Sequence, residues 1–131
     1  MSKFASLFVA LFVVVALSLA TAADEWDHVE SLEVEDPVIR SVWAAFVDRL
    51  NNGDIDGALE YYVPEKRDSV RQLYEMLGDD IKKLPDNWSE LAEPYMYGAF
   101  VEYKLMDESS GMIHSVTFLK MLHGPWLIKS L

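Results

Sequence analysis

No cysteine occurs in the 131 residues. That absence removes disulfide stapling, a thiolate nucleophile, a Cys-ligated metal and a lipid-modified N-terminal cysteine together. Bases are scarce as well: 11 Lys and Arg stand against 22 Asp and Glu, for a formal net charge of −11. No basic patch interrupts the acids, so phosphate backbones and anionic lipid surfaces are repelled, and nucleic acid is not expected as a partner. With only 6 Gly and 5 Pro the chain carries no low-complexity tract and no internal repeat. Gly-x-Ser-x-Gly and Gly-x-Gly-x-x-Gly are missing, and neither Gly53 nor Gly57 is followed by the Lys-Ser or Lys-Thr of a phosphate loop. A nucleophile elbow and a nucleotide cofactor are therefore disfavoured, and no cofactor is expected.

What is present begins with a leader. Lys3 precedes an apolar run from Phe4 to Leu19, and Ala20-Thr21-Ala22 supplies small residues for cleavage after Ala22 or Ala23. This is the layout of a secretory signal peptide over residues 1–22, and it predicts export to a periplasm or the extracellular space. An uncleaved anchor is the alternative, because the run lies at the lower edge of spanning length. Cleavage removes one base and no acid, and no membrane association is expected after it. The roughly 110 residues that remain suit one compact domain.

Residues 23–36 include DEWDHVESLEVED, with seven acids and no base. Such a stretch repels itself and reads as an acidic linker or arm, dispensable for folding. A chain cut to begin at Asp36 is expected to melt within a few degrees of the mature protein. Asp36 then reads as an N-cap with Pro37 in the first helical position, so the domain is placed at residues 37–131. Ile39, Val42, Trp43, Phe46, Val47 and Leu50 form one apolar stripe at helical spacing, closed by Asn51-Asn52-Gly53. Asp54 caps a short helix bearing Ile55, Ala58, Leu59 and Tyr62, which Pro64 ends. A third helix from Pro64 to Gly78 is expected to bury Val70, Leu73, Tyr74 and Leu77, and Ile81 with Leu84 suggests one more turn. Period-two alternation over 99–106, 112–122 and 126–131 predicts three strands, with a weaker one over 89–97 in which Pro94 marks an edge or bulge. The order predicts an α+β domain, N-terminal helices packed on a curved antiparallel sheet.

The turn Asn52-Gly53-Asp54 running into Ala58-Leu59, and the ending Gly124-Pro125-Trp126-Leu127-Ile128, resemble the nuclear transport factor 2-like superfamily, especially its small exported bacterial members. The resemblance covers about Pro37 to Leu131. It implies a cone in which helices close over a bent sheet around an apolar pocket, and a homodimer paired through the sheet. Its enzymatic members place Asp, His, Tyr or Arg inside the cone, and none of their motifs can be matched residue by residue here. The fold hosts so many functions that it decides little about this one.

The pocket wall expected on this reading is Trp43 and Phe46 from the first helix, Tyr62 from the second, and Tyr103 and His114 from the sheet. These combine apolar area with hydroxyl or imidazole groups that orient a guest. The plainer reading of Trp43, Phe46 and Tyr74 is core packing, and that of His114 is a half-exposed sheet histidine. A strand slip of one residue would put Tyr103 and His114 on opposite faces. His114 and His123 lie roughly 30 Å apart along one strand and its turn at about 3.3 Å per residue, too far to share an ion, and no metal site is expected. No catalytic set emerges. The favoured expectation is a non-catalytic exported domain that binds a small apolar ligand or a protein partner. The alternatives are an isomerase or lyase using His114 or Glu102 with a tyrosine hydroxyl, and a structural domain that self-associates through its sheet.

Overall fold

The computed structural model describes residues 31–131, so the expected signal peptide and most of the expected acidic arm lie outside the described residues. The helices come first and a four-stranded antiparallel meander follows, the α+β class that the periodicities predict.

Helix α1 spans Leu32–Asn51, and Ser31 is its N-cap, with Oγ accepting from the Val34 N–H at 3.4 Å. It thus starts before the Asp36-Pro37 signal. Pro37 sits inside the helix on an exposed face, where its missing N–H forfeits only the bond to the Glu33 carbonyl, itself near the open end of the helix. What holds the added turn is tertiary. The stripe of Ile39, Trp43, Phe46 and Leu50 extends one turn back to Glu35, which is buried and accepts from Trp126 Nε1 at 2.7 Å. Asp36 accepts from the Tyr103 hydroxyl at 2.6 Å and from Arg40 Nε at 3.0 Å. Residues 32–36 of the predicted arm are therefore helix docked on the sheet, because two carboxylates find donors there.

The turn after α1 explains its own residues. Gly53 takes φ +68°, a conformation that L side chains avoid. Asp54 caps α2, Ile55–Leu59, by accepting from the Gly57 N–H at 2.9 Å. A Cβ at Gly57 would collide with that capping carboxylate and with the Arg49 side chain, so a larger residue there would displace the cap. A 3-10 turn at Pro64–Lys66 leads into α3, Arg67–Leu77, which ends at Gly78 with φ +57°. The further turn expected at Ile81 and Leu84 is a 3-10 run over Gly78–Asn87, with Ile81 buried.

Strands β1, Ala92–Tyr97, β2, Phe100–Met106, β3, Ile113–Lys120, and β4, Trp126–Ser130, pair in sequence order. Edge strand β1 carries a register shift between Ala92 and Tyr95, around Pro94. Val101, Tyr103 and Leu105 on β2 lie opposite Phe118, Val116 and His114 on β3, so these six share the face that packs on the helices. Only His114, at the end of that row, is exposed. The chain between α2 and α3 joins the far edge: the Val63 N–H donates to the Ile128 carbonyl at 2.9 Å, and the Ile128 N–H donates to the Tyr61 carbonyl at 2.7 Å. That clip sets Tyr62 against the end of β4.

Because Glu35 is buried and hydrogen-bonded, Glu35→Ala strands the Trp126 N–H and should destabilise by about 1–3 kcal/mol. At roughly 4–8 °C per kcal/mol for a domain of this size, the loss is readable as a melting shift. Glu35→Gln, which keeps an acceptor, should lose less. A chain beginning at Asp36 lacks Ser31 and Glu35 together and should melt well below the parent, not within a few degrees of it. Circular dichroism melts of the three variants check this, and equal melting temperatures would contradict it.

Candidate functional site

A chain of ring contacts runs through the interior. Trp88 stacks on Trp43 at 5.4 Å between centroids, Trp43 meets Phe46 at 5.3 Å, Phe46 meets Tyr62 at 5.5 Å, and Tyr62 meets Tyr74 at 6.3 Å. Phe118 links Trp43 to Tyr103 at 6.2 and 5.8 Å. Four of the five expected wall residues are thus brought together, but as packed rings. Phe46 and Tyr103 have no exposed surface and serve as core. Trp43 borders a groove on the other flank of α1, with Arg40, Val47 and Leu91. His114 shares a face with Tyr103, as the register requires, yet lies exposed. Glu102 is on the opposite face, and the Tyr103 hydroxyl is engaged by Asp36. The pair of groups that an isomerase or lyase would need is therefore not assembled at Tyr103.

Tyr62 alone of the five reaches the groove that most resembles a binding site. This groove of about 340 Å³ lies between α3 and the end of β4. Val70, Leu73, Leu77, Leu84, Trp88 and Leu131 supply its apolar wall, Tyr62 and Tyr74 their aromatic rings, and Lys66, Ser69, Lys129 and Ser130 its polar groups. The volume falls within the roughly 300–1,000 Å³ typical of small-molecule pockets. Leu73, which its helical spacing predicts to be buried, is 53% exposed here, because nothing in the described chain covers that part of the α3 stripe. The Tyr62 and Tyr74 hydroxyls are hydrogen-bonded to each other at 2.7 Å.

Two other grooves each have a base already engaged by an acid or a carbonyl, beside Glu90, which enters no ion pair among the described residues. Beside Trp43, in a groove of about 370 Å³, Arg40 is spent on Asp36 and the Leu91 carbonyl. In a groove of about 480 Å³ at the sheet edge, Glu93 and Lys104 pair at 2.7 Å. Among the described residues no cluster of three His, Asp or Glu side chains forms a metal site, and no helix is long and apolar enough to cross a membrane.

Lys66, Lys129 and Tyr74 were not expected at a site. Tyr62 and Tyr74 are brought together by the fold of α2 against α3, which leaves no local pattern. Glu35 did have a signal, since it stands four residues before Ile39 on the same stripe.

Burial raises the Tyr62 hydroxyl far above the ordinary tyrosine range and pushes Tyr74 up to about 12. Burial, then the Asp36 carboxylate, also holds Tyr103 well above it. Unfolded tyrosines release their protons at a pKa of about 10, whereas these three hold theirs in the fold. Above that pH the unfolded state binds fewer protons, so stability is complete below pH of about 10 and falls as pH climbs through about 12. Tyrosinate absorbance followed together with circular dichroism checks this: the three should ionise only where helical signal is lost, and ionisation within a native spectrum would contradict it.

Comparisons with protein-family models, with curated proteins and with solved structures find no match, so the reading of the site stands on these residues alone.

Proposed function

We propose that this is an exported, non-catalytic binding domain that holds a small, largely apolar ligand in the groove between α3 and β4. The observation that carries the reading is the open groove beside α3, where Leu73 is 53% exposed on the helix's otherwise part-buried apolar stripe. Hydrophobic surface drives its own burial at roughly 25 cal/mol per Å², and because the helix–sheet interior is already filled by Phe46, Tyr103 and Phe118, a guest in this groove is what would cover Leu73. On this reading the chain is an exported member of the nuclear transport factor 2-like group, and the groove is the mouth of its cone. The helix-then-meander order and the leader Met1 to Ala22 support that placement.

A second reading has its own support. On the sheet face away from the helices, Tyr95, Tyr97 and Phe100 stack in succession at 5.6 and 5.4 Å, and Ile113 is 60% exposed. Such a patch suits a protein partner or a second copy of the chain. Sedimentation separates the two readings, because a dimer abolished by Ile113→Glu would move function to that face.

For the groove, decanol should raise the melting temperature of the mature protein. A ligand at a hundredfold excess over its Kd stabilises by about 2.7 kcal/mol, a shift on the order of ten degrees. Leu73→Asp, at a position exposed in the free protein, should abolish the shift without lowering the starting temperature much. Absence of any shift with alkyl ligands would overturn the proposal.

A further inference from the structure

The groove also has a charge pattern that the rest of the chain does not share. Acids outnumber bases two to one in the sequence, yet the charged side chains that line this groove are Lys66 and Lys129, with no acidic side chain among them. Glu65, just outside, pairs with Lys129 at 3.3 Å. Both partners of that pair are more than a third exposed, and such surface pairs are weak enough for a ligand anion to displace. Lys66 enters none of the ion pairs among the described residues. It is an ammonium placed at the groove, and the Glu65 carboxylate that pairs with Lys129 lies within its field as well.

The tyrosine pair adds a second observation. Two hydroxyls carry two protons between them, and their mutual hydrogen bond uses one. The other proton has no protein acceptor among the described residues, and since both tyrosines line the groove it is available to a guest. An oxygen from a ligand in the groove would accept it.

The position of these groups along α3 gives the ligand a direction. Lys66 and Ser69 stand at the start of the helix, while Leu73 and Leu77 follow toward its end, next to Leu84 and Trp88. At about 1.5 Å per residue, the helix carries the groove from polar to apolar over roughly 16 Å. An elongated guest with one charged end fits that gradient, whereas a compact apolar guest leaves the lysine end unused. The net negative charge of the chain does not forbid an anion here, because charges beyond roughly 8–10 Å are screened at physiological salt while a contacting ammonium is not.

We infer that the groove selects a free single-chain carboxylate, its alkyl tail along Leu73 and Leu77 and its head group at Lys66 and Lys129. This rests on the groove being a ligand site, as proposed above, and adds the chemical class of the ligand. The test is titration of decanoate, decanol and decylamine into the mature protein and into a Lys66→Gln/Lys129→Gln variant, followed by calorimetry. Decanoate should bind about tenfold or more tightly than decanol, the factor that a charge-assisted hydrogen bond contributes. The variant should lose that preference and keep its affinity for decanol, which also shows that it is folded. Equal affinities for the three ligands in the parent protein would overturn the carboxylate assignment and leave an apolar site. Binding of none of them would overturn the groove as a ligand site, and the carboxylate assignment with it.

Discussion

Two adjacent carboxylates near the start of α1 hold the helix to the sheet. Glu35 accepts from Trp126 at the head of β4, and Asp36 accepts from Tyr103 in the middle of β2. Consecutive helical residues point about 100° apart, so two such bonds to different strands fix the rotation of the helix as well as its position. Hydrogen bonds to charged groups contribute about 1.5–3 kcal/mol each, comparable with burying one large apolar side chain. With the rotation set, Ile39, Phe46 and Leu50 face the sheet, and Trp43 reaches both Phe118 and Trp88. Trp88 in turn closes the end of the 3-10 run and borders the groove beside α3. The interior is solid where α1 crosses the sheet and open where α3 leaves it.

Much of this was legible in the sequence, and the exceptions have physical causes. The α1 stripe, the Asp54 cap, the stop at Gly78 and the four strands follow from spacing and turn residues alone. The start of α1 does not, because Pro37 is a local signal and the bonds that override it come from residues far along the chain. The acidity of the arm misled for the same reason: a carboxylate reads as solvated until its donor is known. Size and polarity mark the wall residues in the sequence, and neither tells whether a ring lines a cavity or fills it. Phe46 and Tyr103 fill it, while Tyr62 reaches the groove because the bonds around Ile128 bring the chain after α2 to the edge of the sheet. The face shared by Tyr103 and His114 depended on register, which the β2–β3 pairing settles.

The functional account follows from this distribution of packing. The strongest donors and acceptors of the sheet are spent on structure, as the Asp36–Tyr103–Arg40 cluster illustrates, with the Arg40 guanidinium 5.4 Å from the Tyr103 ring centre. The α3 groove is different, since it combines an exposed leucine, a tyrosine hydroxyl pair and two lysine side chains in its lining. The exposed leucine costs free energy in the empty protein, and a bound amphiphile covers it while the lysines meet its charged head.

The most direct test is a high-resolution structure of the protein isolated from its own source, without added ligand. The account predicts elongated density in the groove between α3 and β4, running from Lys66 toward Leu77 and Leu84, and a mass spectrum of the denatured sample that yields a single-chain carboxylate. A groove holding only ordered water, or one closed by Leu73 and Leu77 folding onto Tyr74, would contradict it.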